Sequence, residues 1–266
     1  MYNLLLKSIH LQKKFYFLIH VFVVAFVNSC YSYFIFTRKK LLRFSRNNFF
    51  RLINVVGLIA ALPISLKPDY NCAMKPTTIH LIRHGQTDWN IQRKYQGSID
   101  IPLNQTGLLQ AKELADKLIG QRFDALYSSH LQRACQTAQV VAYAVNLPVS
   151  IDERLREIHM GDWEGRSIAE LAETQAEFQE LAHNDPEHYR PNGGESIKSV
   201  ADRMLAALDE IARKHSGKEV LVVSHGMAIG TVLCLLQGIP FSEVGKHIPH
   251  NTVLKTIVWE NKKTQP

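Results

Sequence analysis

Two apolar runs in this chain end in the same dipeptide, His-Gly, and they constrain the possible fold more than any other feature. Residues Thr77 to Ile82 lead into Arg83-His84-Gly85, and Val222-Val223-Ser224 leads into His225-Gly226. Short apolar runs bounded by turn residues are typical of strands covered on both faces. Because open α/β sheets place ligand sites beyond the carboxyl ends of their strands, we expect Arg83 and His84 at the floor of a pocket.

From Met74 onward, predicted strands alternate with predicted helices. Further strands are expected at 124–128, 147–151, 219–223 and 252–259, and helices at 106–119, from 129 onward, 167–182, 196–215 and 227–236. Ser129, three residues ahead of Gln132, predicts a capping box at the start of the second helix. This alternation predicts an α/β fold with three α/β/α layers around a mainly parallel sheet.

The positive charge of the chain is confined to its first part. The formal net charge is +7, but residues 1–73 hold ten Lys or Arg and one acidic residue, whereas residues 74–266 carry a net −2. We therefore divide the chain into an N-terminal extension, 1–73, and a folded domain, 74–266. Since the basic character belongs to the extension, we expect no nucleic-acid binding by the domain.

The extension has three possible interpretations. It has no charged residue from Phe15 to Thr37, and the run Phe15 to Phe36 exceeds the roughly 20 residues that span a bilayer. It could be a membrane anchor, a cleaved signal, or translated upstream DNA ahead of a start at Met74. We favour the third, which predicts a cytoplasmic protein; any membrane contact would come through residues 1–73 alone.

The cysteines and histidines do not show the spacing of metal sites. The four cysteines, Cys30, Cys72, Cys135 and Cys234, form neither a Cys-x-x-Cys pair nor a disulfide framework. His80 and His84 are four residues apart, but on a strand and its end rather than on a helix face. We therefore predict no metal ion.

Two more charged residues accompany the His-Gly pairs. Arg133 lies near the start of the helix that follows strand 124–128, and Glu157 lies in the loop sequence Leu-Arg-Glu-Ile-His-Met-Gly-Asp-Trp-Glu-Gly at 155–165. Taken singly, each could be an ordinary surface charge, because charged residues are mostly exposed. His159 is an alternative proton carrier to Glu157, but we assign it to the pocket wall.

In combination and in this order, these residues resemble the histidine phosphatase superfamily, also called the phosphoglycerate mutase-like family, from about Pro76 to Glu260. The resemblance implies phosphoryl transfer without metal or cofactor. It implies that His84 is the nucleophile, forming a phosphohistidine, and that Glu157 is the general acid. It also implies that Arg83, Arg133 and His225 stabilise the phosphoryl group and that four residues contact substrate: Asn90, Gln96, Gly97 and Gly226.

The loop at 155–165 and Gly193-Gly194-Glu195-Ser196 look closest to bacterial broad-specificity and alpha-ribazole phosphatases. We therefore expect a phosphomonoesterase whose partner is a small phosphorylated metabolite. Two alternatives remain open, a phosphoglycerate mutase and a phosphoprotein-directed signalling module. Composition indicates no oligomeric state.

Overall fold

A computed structural model of the chain describes residues 75–174, 176–185 and 187–260. The five strands in these ranges are β1 Thr77–Arg83, β2 Ala125–Ser128, β3 Val149–Ile151, β4 Glu219–Ser224 and β5 Leu254–Trp259. The α-helices are α1 Asp88–Ile91, α2 Gln105–Leu118, α3 Gln132–Val145, α4 Ile168–Thr174, α5 Ala176–Asn184, α6 Ile197–Lys214 and α7 Gly226–Gln237. The apolar run from Phe15 to Phe36 lies outside the described residues. Within them, no helix combines the length and apolar character needed to span a membrane.

The strands form one sheet in the order β3-β2-β4-β1-β5. Every pairing is parallel except that of β5, which runs antiparallel to β1. This confirms the mainly parallel sheet. Residues Ile82 and Val223 face each other in the β1–β4 ladder, as do Arg83 and Ser224. Both His-Gly dipeptides therefore leave the sheet side by side, at the same edge.

Apolar side chains cover both faces of the sheet. On one face, Leu81 and Val222 pack against α6 and α7; on the other, Ile82 and Leu126 pack against α2 and α3. These two cores confirm the three-layer α/β/α fold. Burial of apolar surface, which contributes about 25 cal/mol per Å², is the main favourable contribution to the stability of such a layered structure.

The predicted capping box at the start of α3 was wrong. The cap position is Leu131, which makes no side-chain cap bond, and the Ser129 hydroxyl accepts only from the Leu131 N–H at 3.3 Å. Asp100 takes over instead, accepting from the backbone N–H of Gln132 at 2.7 Å and from its side-chain amide at 3.0 Å. A carboxylate from a distant loop thus accepts the N–H at the start of α3, where a cap from the neighbouring Ser129 was expected.

Three further predicted elements differ from the structure by more than one residue at a boundary. The segment predicted as one helix at 167–182 is described as α4 and α5. The last strand begins at Leu254 rather than at Thr252, because Thr252 has a left-handed φ of 56° that strand geometry excludes. The strand predicted at 147–151 is limited to β3.

Two glycines allow the loop after β1 to lie directly on α2. A Cβ atom added to Gly85 would lie 2.5 Å from the carbonyl oxygen of Gly107, and one added to Gly107 would overlap the carbonyl oxygen of Gln86. Real Cβ atoms do not approach backbone atoms so closely. The His84 loop can therefore take this position only because both residues are glycines, which have no side chain.

Candidate active site

The two His-Gly dipeptides bring two buried imidazoles together. The backbone N–H of His84 donates to the carbonyl of Ser224 at 3.0 Å, which continues the β1–β4 ladder by one bond. The ring centroids of His84 and His225 are 5.1 Å apart. The sheet register, rather than any local contact, thus places the two rings next to each other, with His84 in the wall of the pocket.

One nitrogen of His84 is committed to the backbone. Its Nδ1 lies 2.7 Å from the carbonyl oxygen of Gly85. Because a carbonyl only accepts, Nδ1 carries the hydrogen, and the neutral ring has its lone pair on Nε2. The side-chain amide of Asn251 donates to the His84 carbonyl at 2.8 Å, and the Gly85 N–H donates to the Thr137 hydroxyl at 3.0 Å. Residues from two other parts of the chain therefore hold this loop.

The surroundings keep both imidazoles neutral. Burial lowers the pKa of His84 well below its usual value of 6.5, and the positive charges of Arg133 and Arg83 lower it further. Burial also lowers the pKa of His225, with a further contribution from Arg133. Neither ring nitrogen of His225 has a hydrogen-bond partner among the described residues. Both rings are thus neutral when a phosphoryl group binds.

Arg133 and Arg83 supply the positive charge of the site. Arg133 is fully buried, and its two terminal nitrogens each donate at 2.7 Å, to the carbonyls of Ile99 and Gly97. Arg83 donates to the carbonyl of Pro249 at 2.8 Å. The Nε–H of each arginine is buried without a partner in the described part of the chain. Burial lowers the pKa of Arg133 to about 10, so it remains a cation at neutral pH.

Glu157 lies at the amino end of α7. Its carboxylate accepts from the backbone N–H groups of Met227 at 3.2 Å and Ala228 at 3.0 Å, and from that of Ile158 at 3.0 Å. His225, at the cap position of α7, makes no side-chain cap bond. A glutamate 70 residues away in sequence therefore caps the helix that begins at Gly226.

These residues line a cavity of about 620 Å³. Its walls contain every residue expected at the site except the fully buried His225: His84, Arg83, Arg133, Glu157, Asn90, Gln96, Gly97 and Gly226. Its size falls within the range of small-molecule sites. His159, the alternative proton carrier, does not line this cavity; its ring lies 3.8 Å from the Glu164 carboxylate. The structure thus brings the predicted set together at one place.

The four residues expected to contact substrate have different surroundings. Asn90 forms a capping box with Thr87 at the start of α1. The side-chain oxygen of Gln96 is buried without a partner among the described residues. Gly97 has a left-handed φ of 50°, and a Cβ atom there would overlap the Glu164 carboxylate. A Cβ atom at Gly226 would lie 3.3 Å from the Arg83 guanidinium carbon, so this glycine leaves space for that arginine.

Comparison with known proteins identifies the family. Residues 79–266 match the sequence profile of the histidine phosphatase superfamily (branch 1). This chain belongs to that superfamily. It is accordingly a phosphatase- or mutase-like enzyme.

Three members of the superfamily illustrate what this chain is similar to. It is 40% identical over 162 residues to "Probable phosphoglycerate mutase GpmB" of Yersinia pestis, an alignment covering 61% of this chain and 75% of that protein. Phosphoserine phosphatase of Entamoeba histolytica, solved with 3-phosphoglyceric acid, has a TM-score of 0.62 at 30% identity and covers 70% and 98% of the two chains. Alpha-ribazole phosphatase of Shigella flexneri has a TM-score of 0.59 at 30% identity and covers 67% and 89%.

Sequence reasoning missed two residues that support the site of this superfamily member. Asn251 and Thr137 hold the His84 loop, as described above. Glu164, in the loop sequence at 155–165, accepts from the N–H groups of Ser98 at 2.7 Å and Met160 at 3.0 Å. It thus joins the loop that carries Gln96 and Gly97 to the segment after Glu157. No local pattern signals Asn251 or Thr137, because their partners lie far away in sequence.

Proposed function

We propose that this enzyme is a metal-independent phosphomonoesterase that hydrolyses small phosphorylated metabolites through a phosphohistidine. The supporting observation is the His84 ring, neutral and with its lone pair on Nε2, close to the buried Arg133 and the partly buried Arg83, whose Nε–H groups have no partner among the described residues. Phosphoryl transfer requires a positioned nucleophile and positive charge around the transferred oxygens. These groups provide both at the floor of one cavity.

In the proposed reaction, His84 Nε2 attacks phosphorus and the bond from phosphorus to the ester oxygen breaks. Glu157 gives its proton to the departing oxygen, so the alcohol leaves neutral. Water then attacks the phosphohistidine, Glu157 takes a proton from that water, and the phosphorus–nitrogen bond breaks to release phosphate. Arg83, Arg133 and His225 stabilise the charge on the phosphoryl oxygens in both steps.

The experiment is phosphate release from para-nitrophenyl phosphate, 3-phosphoglycerate and alpha-ribazole phosphate in the presence of a chelator. We expect turnover with chelator, and loss of about 10³-fold or more in His84→Ala. The matched control is His80→Ala. His80 lies on β1, the strand that leads to His84, but its ring contacts Thr256 and Glu219 instead of the cavity. Enzyme denatured in alkali during turnover should carry one phosphoryl group, because the phosphorus–nitrogen bond of phosphohistidine is broken by acid but survives alkali. This label should be lost in His84→Ala and retained in His80→Ala; an unlabelled wild-type enzyme during turnover would contradict the proposal.

A second candidate, a phosphoglycerate mutase, is favoured by two cationic side chains in the cavity wall. Arg93 and Lys94 lie there, where they could bind the carboxylate of a phosphoglycerate. The similarity to a protein named as a mutase supports the same candidate. Isomerisation of 3-phosphoglycerate at a rate far above phosphate release would favour the mutase. Phosphate release without isomerisation would favour the phosphatase.

A further inference from the structure

A second cavity, of about 400 Å³, adjoins the catalytic one, and its walls are mostly apolar. The two cavities share Ile158, Met160, Met227 and Ile248 in their walls. Beyond these residues, the second cavity is lined by aromatic side chains, Trp163, Tyr189 and Phe241. We call it the apolar compartment.

Aromatic rings form a row along this compartment. The ring centroids of Tyr95 and Trp163 are 5.6 Å apart, and those of Trp163 and Tyr189 are 6.2 Å apart. Both separations fall in the range of favourable aromatic pairs, so a planar apolar group could join the row. Trp163 is buried, whereas Phe241 is only partly buried. The compartment thus has both a buried and a partly exposed aromatic wall.

Charge is scarce in the apolar compartment. No Lys or Arg is among the described residues that line it, and His183 is its one imidazole. Its one carboxylate, Glu195, accepts from Arg203 at 2.9 and 3.0 Å and from Arg156 at 2.7 Å, so its charge is compensated from outside. An anionic group in this compartment would lose hydration without gaining the fixed charge of a Lys or Arg. The compartment thus fits the apolar part of a ligand and not a second phosphate or carboxylate.

The position of Glu157 directs the leaving group toward this compartment. The proposed acid must lie beside the oxygen that departs, and its neighbour Ile158 lines both cavities. Met227, whose N–H donates to Glu157, also lines both. A phosphate held between His84 and the arginines therefore has its ester oxygen toward the shared wall. Whatever is attached to that oxygen extends toward the aromatic row.

We propose that the apolar compartment binds the leaving group and that the substrates are phosphate esters of large, planar, aromatic alcohols. This inference rests on the proposed function, because it names the part of the substrate that the proposed hydrolysis releases. It also separates such substrates from 3-phosphoglycerate, whose carboxylate would have no Lys or Arg to pair with in this compartment.

The experiment compares 2-naphthyl phosphate with phenyl phosphate, binding to the full chain carrying His84→Ala, by calorimetry. Because this variant cannot form the phosphohistidine, the affinities do not depend on turnover. We expect a Kd about tenfold lower for 2-naphthyl phosphate, because its second ring buries additional apolar surface. In the same background, Phe241→Ala should reduce this preference to about threefold, and Phe241→Leu should retain more of it.

Tyr143→Ala is the matched control. It also removes an aromatic side chain, but one that is 93% exposed on α3, so the preference should be unchanged. Equal affinities for the two esters, or binding of neither, would overturn the inference whatever the wild-type activity. A tenfold preference in an enzyme that releases no phosphate from any ester would overturn the proposed function and leave the apolar compartment as a binding site.

Discussion

The Glu157 carboxylate has two roles, as the proposed acid and as the cap of α7. Glu157→Gln separates them in large part: the amide oxygen can replace Oε1, which accepts from the N–H groups of Ile158 and Ala228, although the bond from Met227 to Oε2 is lost. The amide cannot give up a proton. We expect turnover of esters with poor leaving groups to fall about 10²-fold or more, and turnover of para-nitrophenyl phosphate to fall much less. The measurement is kcat/KM across a series of phosphate esters of graded leaving-group acidity. Equal slowing across the series would exclude Glu157 as the acid.

The pKa of His84 determines where activity begins on the acidic side. Burial, Arg133 and Arg83 lower it below 6.5, and only the neutral ring is a nucleophile. As pH falls, kcat/KM should therefore decline through this lowered pKa, leaving the enzyme active at mildly acidic pH. Arg83→Gln removes one of the charges and should raise the pKa, moving the decline to higher pH.

The measurement for this prediction is the NMR titration of the His84 ring in the free enzyme, alongside the pH profile of kcat/KM. Arg93→Gln is the control, since Arg93 also lines the cavity but is not among the charges that lower the His84 pKa. A titration midpoint of the wild-type His84 ring at or above 6.5 would contradict its buried, positively charged environment.

At the scale of elements, the contact between α2 and the loop after β1 depends on two glycines. Gly107→Ala would place a methyl group against the backbone of Gln86, two residues from the nucleophile. We expect the free energy of unfolding to fall by about 2 kcal/mol or more and kcat to fall with it, because rigid backbone must move on both sides. Gly245→Ala is the control for the free energy of unfolding, since nothing lies within 4 Å of its added Cβ atom. Denaturant unfolding measures this free energy for both variants, and steady-state kinetics measures kcat of Gly107→Ala. Equal losses of unfolding free energy in the two variants would show that the close approach is unimportant.

At the scale of the whole molecule, charge and pattern separate residues 1–73 from the remainder. We predict that protein beginning at Met74 unfolds in one cooperative transition and releases phosphate as fast as the full chain. The reason is that every residue of the proposed site, and both described cores, lie beyond Met74. The measurements are thermal unfolding and kcat/KM of the two forms.

A truncated protein that fails to fold, or that loses activity, would show that the extension is part of the enzyme. Extraction of the full chain with and without detergent tests the membrane anchor separately. Recovery of the full chain without detergent would rule out the anchor interpretation of Phe15 to Phe36.

Several features of this enzyme were determined by the sequence alone. The buried strands and their His-Gly ends could be read directly, because an apolar run and the turn that follows it are local patterns. The core face of α6 could also be predicted from its helical spacing. Of the five residues that this spacing selects, Ile197 is partly buried and the other four are buried: Val200, Met204, Leu208 and Ile211. The superfamily could be recognised because its landmarks are short motifs in a constant order.

Only the tertiary structure decided how the site is held together. Glu157 caps α7, Asp100 caps α3, and Asn251 holds the His84 loop, each through a hydrogen bond between segments distant in sequence. The failed Ser129 capping box has the same origin, since a local hydrogen bond was replaced by a tertiary one. The apolar compartment is likewise absent from any single stretch of sequence. Its walls come from several separate elements, and hydrogen bonds and cavities depend on which atoms meet in space rather than on which follow each other in the chain.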